Sequence, residues 1–231
     1  MRTLGIIGGI GPESTLEYYR AVIASYRARK PDGSYPSFLV NSIDLNRLVG
    51  MMTTNALLEA TAFLLEEVRR LHHAGADFGL LAANTPHIVF DDLQRQSPIP
   101  LLSIVRTTCD AAKALQLKRV GLFGTRFTMQ GRFYPDLFAT EGIAIVVPDL
   151  DDGIYIHEKY MGELINGVFL QETRADLLAI VDRLIDREGI EGLILGGTEL
   201  PLILREDTYR GIPLLDTTRI HVEAAVTWML S

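Results

Sequence analysis

The sequence predicts an α/β fold of two pseudo-symmetric, doubly wound halves, each with a mostly parallel four-stranded sheet, enclosing a ligand cleft. Three observations predict it. Short apolar runs alternate with longer amphipathic ones, the pattern of strands joined by crossover helices. The pattern then restarts near the middle of the chain: Gly5-Ile6-Ile7-Gly8 corresponds to Gly121-Leu122-Phe123-Gly124. Two later segments recur in the same order, Gly75–Leu81 against Gly189–Leu195 and Pro98–Leu102 against Gly211–Leu215, so the three offsets are 116, 114 and 113 residues. Three matches in register point to an internal duplication.

Thr3–Ile7 reads as a buried strand, followed by the glycine loop Gly8-Gly9-Ile10-Gly11-Pro12 and a helix from Glu13 to about Ala28, with Pro12 in its first turn. Ser37–Ser42 is the next strand. Asn55–Ala74 carries Leu57, Leu58, Phe63, Leu64, Val68 and Leu71 near the 3.6-residue period of an amphipathic helix. Phe78–Ala82 reads as a strand, Ile88–Arg95 as a short helix, Leu101–Val105 as a strand and Thr107–Leu115 as a helix. With the exchange near Pro98 and again near Arg210–Pro213, residues 1–98 plus 212–231 form one domain and 99–211 the other. The C-terminal helix, ending in Trp228, then returns to the first half.

Composition removes several classes of partner. The chain has 231 residues, a net charge of −7 and no Lys/Arg-rich run, which speaks against nucleic acid and anionic membranes. Cys109 is the only cysteine, so there is no disulfide framework and no thiolate zinc site, and the five histidines form no metal constellation. The N-terminal apolar run is broken by glycines and lacks the features of a secretory signal, and no stretch approaches the roughly 20 apolar residues of a membrane span. A cytoplasmic protein is expected.

In open α/β sheets, ligands bind beyond the carboxyl ends of the strands, so the loops there are the candidate site. Gly8–Ser14 is not a full dinucleotide fingerprint, because Ser14 stands where the last glycine belongs. Its backbone N–H groups, Gly9 included, suit a carboxylate or phosphate at a helix N-terminus, or else form a tight turn. Asn84-Thr85 and Thr198-Glu199 stand at equivalent strand ends and suit a carboxylate and an ammonium, or cap the following helices. Thr125 and Thr128 offer two more hydroxyls, with the same two readings. Arg47 suits a bidentate contact with a side-chain carboxylate. His87 and His221 follow strand ends closely enough to enter the site or to serve the core, and Cys109 reads as a buried apolar residue.

Together these segments resemble the aspartate/glutamate racemase family: Gly5–Tyr19, Asn84–His87, Gly121–Tyr134, Leu195–Glu199 and Leu215–His221 match it in order over nearly the whole chain. The resemblance implies an isomerase that needs no pyridoxal phosphate or other cofactor, a homodimer, and a small acidic amino acid held between the halves. It also implies two cysteines on opposite faces of the α-carbon, one removing the proton and the other returning it. Their places are taken by Ala83 and Gly197, neither of which can transfer a proton. A positioned acid or base is typically worth about 10²–10⁴ in rate. The usual two-thiol racemisation is therefore expected to be impaired. Gly9, Arg47, Asn84, Thr85, Thr125, Thr128, Thr198 and Glu199 remain as substrate-binding candidates, and restoring both cysteines is expected to restore activity if the site is otherwise intact. A non-catalytic amino-acid-binding protein, or a lyase or decarboxylase of the same superfamily, is the alternative. His87, Glu199 or a bound water are the candidate substitute groups.

Overall fold

The structure, a computed structural model, describes residues 1–231. In chain order its elements are β1 (Leu4–Gly8), α1 (Pro12–Arg29), β2 (Phe38–Ser42), α2 (Leu45–Thr53), α3 (Leu57–His73), β3 (Phe78–Leu81), α4 (Phe90–Gln96), β4 (Leu101–Leu102) and α5 (Ile104–Ala114). There follow β5 (Arg119–Gly124), α6 (Arg126–Gln130), α7 (Phe133–Thr140), β6 (Ala144–Val146), α8 (Leu150–Gly162), α9 (Gln171–Glu188), β7 (Gly192–Gly196), α10 (Leu200–Ile203), β8 (Thr208–Tyr209), β9 (Ile212–Asp216) and α11 (Thr217–Leu230).

The first sheet has the order β2-β1-β3-β4 and is parallel throughout. The second has the order β6-β5-β7-β9-β8, parallel except that β8 runs antiparallel to β9. The α/β class with parallel sheets is thus as expected, but the second sheet has five strands rather than four. The extra edge strand is folded back by Arg210 (φ 47°) and Gly211 (φ 85°), two consecutive left-handed residues of the kind that close a tight hairpin. Arginine is rarely left-handed, so its residue type does not announce the turn.

Apart from that edge the two sheets share one strand order, and the repeated segments fall on equivalent strands: β1 with β5, β3 with β7, β4 with β9. The repeated glycines have a packing reason. A Cβ at Gly5 would stand 3.0 Å from the Cβ of Ala76 and 3.1 Å from Leu71, and one at Gly121 would stand 2.9 Å from Leu193 and 3.0 Å from Ile190.

The chain divides into two compact units, Met1–Ile104 with His221–Ser231, and Val105–Ile220. Both expected crossings are therefore corrected to later positions. β4 pairs with β3 through Gly79↔Leu101 and Leu80↔Leu102, which keeps it in the first unit, and β9 pairs with β7, which keeps it in the second. The chain changes units at α5 and α11 rather than at the prolines.

In the first unit, Leu4, Ile6, Tyr18, Phe78 and Leu80 pack with Val222, Val226 and Met229 of α11. Phe78 is completely buried, and burial of such a side chain contributes about 1.5–3 kcal/mol. The second unit gathers Phe123, Tyr160, Leu177, Val181, Leu193 and Leu195.

Local departures have local causes. The buried seam of α3 runs through Ala60, Thr61, Leu64, Val68 and Leu71, so Leu58 faces outward and is 84% exposed. The helix α2, absent from the expected elements, starts at Asp44, whose carboxylate accepts from the N–H groups of Asn46 (2.9 Å) and Arg47 (3.4 Å). The strand β4 is shorter than expected because Ile104 already begins α5. No helix is long and apolar enough to cross a membrane.

Candidate functional site

Within the first unit, parallel pairing aligns the carboxyl ends of β1, β2 and β3. Ile43 N–H donates to Gly8 O (3.0 Å) and Ala82 N–H to Ile7 O (2.9 Å), which brings the loops after these strands side by side. The glycine loop is closed on itself. Gly9 N–H donates to Thr15 Oγ1 (2.7 Å), and that hydroxyl donates in turn to Gly11 O (3.2 Å). The N–H of Gly9 is thus taken by Thr15, contrary to the expectation that it serves a ligand. Gly9 is needed for shape, since its φ is +77° and a Cβ would lie 2.5 Å from Ile43 O. Ser14 donates to Ala82 O (2.6 Å), bracing α1 against the end of β3.

Ala83 and Asn84 lie at that end, 6% and 3% exposed, and Thr85 opens a 3-10 turn over Thr85–Val89. The Asn84 side chain does not cap this turn. Arg47 is exposed, with its guanidinium 4.4 Å above the Phe63 ring.

His87 and His221 occupy the interior of this unit, and their partners define their tautomers. His221 Nε2 lies 3.0 Å from Leu102 O, which can only accept, so Nε2 carries the proton and Nδ1 accepts from the Tyr18 hydroxyl at 2.8 Å. For His87, Nδ1 donates to Ala83 O (3.1 Å) and Nε2 accepts from Ile104 N–H (3.2 Å). Both rings are neutral and have both nitrogens bonded. Burial draws His87 down to about 3, with His221 adding to the effect, and draws His221 down to about 4. Neither nitrogen of His87 is free to carry a proton to or from a ligand.

In the second unit the same arithmetic brings the ends of β5, β7 and β9 together. Gly124 pairs with Gly196, and Thr217 donates to Leu195 O (2.8 Å). Thr125 takes the capping role: its hydroxyl oxygen accepts from Thr128 N–H (3.3 Å), and the two hydroxyls are 3.3 Å apart. The backbone N–H of Arg126 donates to His157 Nδ1 (3.2 Å), and burial lowers the pKa of that ring. Lys159 is ion-paired with Glu163.

After β7 come Gly197, Thr198 and Glu199. Thr198 and Glu199 are 2% and 1% exposed, and the Thr198 hydroxyl donates to Glu199 Oε2 at 2.9 Å. The Tyr160 hydroxyl, from α8, donates to the same carboxylate oxygen. Burial first, and the neighbouring carboxylate second, raise the Tyr160 phenol well above its ordinary value. Tyr160 stands 37 residues before Gly197, and no local motif in the sequence links the two. Asp216 closes β9 and caps α11 by accepting from Arg219 N–H (3.0 Å), with its pKa raised by burial. Cys109 is fully buried, and burial pushes its thiol up to about 11.

The Asp/Glu/hydantoin racemase family model matches residues 7–225. The chain is 22% identical to the broad specificity amino-acid racemase RacX of Bacillus subtilis (strain 168), over 99% of this chain and 98% of that one. Among solved structures, a Yersinia pestis protein provisionally assigned as an Asp/Glu racemase superposes with a TM-score of 0.89 at 30% identity, covering 100% of both chains. An aspartate racemase homologue from Pyrococcus horikoshii OT3 superposes with a TM-score of 0.85, also at 30% identity and covering 100% of both chains.

Proposed function

The chain belongs to the Asp/Glu/hydantoin racemase family, and on that premise we propose that it binds a small acidic amino acid at its strand-end loops without two-thiol racemisation. One observation carries the reading: Ala83-Asn84-Thr85 and Gly197-Thr198-Glu199 follow the equivalent strands β3 and β7. Polar groups suited to an amino acid's carboxylate and ammonium are present at both ends. An acid or base is missing from the preceding position at both.

In this reading Asn84, Thr85, Thr125, Thr128 and Thr198 serve the main-chain groups of the amino acid, and the exposed Arg47 takes the distal carboxylate. Glu199 is held by Tyr160 and Thr198, and acts through the position it gives Thr198. The reading includes a cofactor-independent, cytoplasmic homodimer. With His87 neutral and bonded at both nitrogens, an amino-acid-binding role without turnover is favoured over a substitute-base racemase.

Incubation with L-Asp and L-Glu in D₂O, followed by NMR of the α-proton and of chirality, tests it. Saturable calorimetric binding with no exchange above the buffer rate is the expected result. Exchange well above that rate would refute the loss of proton transfer, and absence of binding would refute the ligand class.

A further inference from the structure

Position 197 has no side chain, yet the space for one is full. A Cβ on Gly197 would lie 2.3 Å from Cε2 of Tyr160, 2.9 Å from its Cζ and 2.9 Å from its hydroxyl oxygen. Contacts below 3.0 Å are essentially never made by real Cβ atoms. Gly197 is not among the glycines with positive φ, so its backbone does not call for glycine. Tyr160 is what excludes a side chain there.

The tyrosine cannot move aside cheaply. Tyr160 is 5% exposed and belongs to the core cluster that holds Phe123, Met129, Ile156 and Leu164. Its hydroxyl bonds the Glu199 carboxylate, which is 1% exposed and would lose a donor if the ring swung out.

We propose that Tyr160 and Gly197 are a matched pair, in which the phenol fills the volume of the family's second proton-transferring side chain and makes this strand end a fixed binding face. Tyr160 is a positioning residue: it holds Glu199, and through it Thr198, and its bulk decides whether position 197 can carry an acid or base. The inference rests on the proposed assignment of position 197 to the second thiol. Tyr160 is no replacement base. Its O–H already donates a hydrogen bond to Glu199, and burial beside a carboxylate keeps it protonated far into the alkaline range. It follows that Gly197→Cys alone does not rebuild a working thiol.

The test compares Gly197→Cys, Tyr160→Ala and Tyr160→Phe with the two double variants, by urea unfolding and by the rate of iodoacetamide alkylation. Neither readout needs a ligand. Cys109, the only native cysteine, is buried and its thiol is pushed up to about 11, so alkylation reports residue 197. Gly197→Cys is expected to lower the unfolding midpoint. Adding Tyr160→Ala relieves that loss, so the double variant loses less than the sum of the single ones and its thiol reacts at least tenfold faster. Adding Tyr160→Phe relieves less, because the hydroxyl is gone but Cε2, the nearest atom, remains. If Gly197→Cys does not fold, Gly197→Ala replaces it in the unfolding measurement, since it adds only the Cβ.

Additive losses, an unperturbed Gly197→Cys protein, or relief by Tyr160→Phe equal to that by Tyr160→Ala would overturn the proposal. α-Proton exchange of L-Asp in D₂O supplies a functional readout, expected to be at least tenfold faster in Gly197→Cys/Tyr160→Ala than in Gly197→Cys. Equal exchange above the buffer rate in both would also overturn it. Exchange in neither, with the non-additive unfolding intact, counts against the proposed substrate while the matched pair stands.

Discussion

The ends of β3 and β7 hold the same place in their sheets, and Ala83 and Gly197 beyond them carry no group that can transfer a proton, but the two positions are built differently. At Ala83 the backbone carbonyl accepts from a neutral histidine, and the surrounding network of His87, His221 and Tyr18 contains no formal charge. At Gly197 the space a Cβ would need is filled by Tyr160, whose hydroxyl is tied to a buried carboxylate. A neutral network is disturbed by adding protons to it. A buried carboxylate is disturbed by removing its donors. Two strand ends that both lack a titratable side chain therefore have opposite weaknesses.

The largest effect is expected from Tyr160→Ala, which opens a core cavity and takes a donor from Glu199. A loss of about 3–5 kcal/mol in urea-derived stability is expected at neutral pH. A loss under 1 kcal/mol would mean that the second strand end is no more dependent on its donors than the first.

Acid is the complementary probe of the first unit. His87 and His221 titrate at about 3 and about 4 in the folded chain, against an ordinary 6.5. Between those values the unfolded state binds more protons, so stability rises with pH there. The contribution is complete above about pH 6.5 and is lost as pH falls toward 4 and then 3, by an amount on the order of a few kcal/mol. Urea midpoints measured from pH 7 to pH 4.5 should fall. Replacing His221 by Gln should flatten part of that fall, and an unchanged slope would assign it to other groups.

Ser14→Ala gives the smallest of the three effects. It removes the 2.6 Å bond to Ala82 O that braces α1 at the first strand end. A loss of about 1–2 kcal/mol is expected, since a buried carbonyl is left with fewer donors. If amide exchange at Ala82 and Ala83 is unaltered in that variant, the brace is not what keeps this end rigid.

Much of the architecture could be read along the chain, because strand and helix periods, glycine placement and the duplicated segments are local or nearly local signals. Gly5 and Gly121 marked equivalent strands since both must admit close neighbours. The start of α2 was also written locally, in Asp44 followed by Leu45, Leu48 and Met52, although an isolated cap is easily taken for a loop. The hairpin at Arg210-Gly211 and the outward turn of Leu58 were not legible, since edge pairing and the choice of buried seam depend on what packs alongside.

The candidate site divides in the same way. Asn84, Thr85, Thr198 and Glu199, and the missing acid or base at positions 83 and 197, were visible as residue types at recurring strand ends. What surrounds them was decided only in three dimensions. The partners that keep His87 and His221 neutral come from β4, α5 and α1, and the ring that excludes a side chain at Gly197 comes from α8. The sequence by itself determined which groups stand at the strand ends, because that follows from order along the chain. The tertiary structure decided which of them are charged, bonded or crowded, because desolvation and steric exclusion are set by neighbours far apart in sequence.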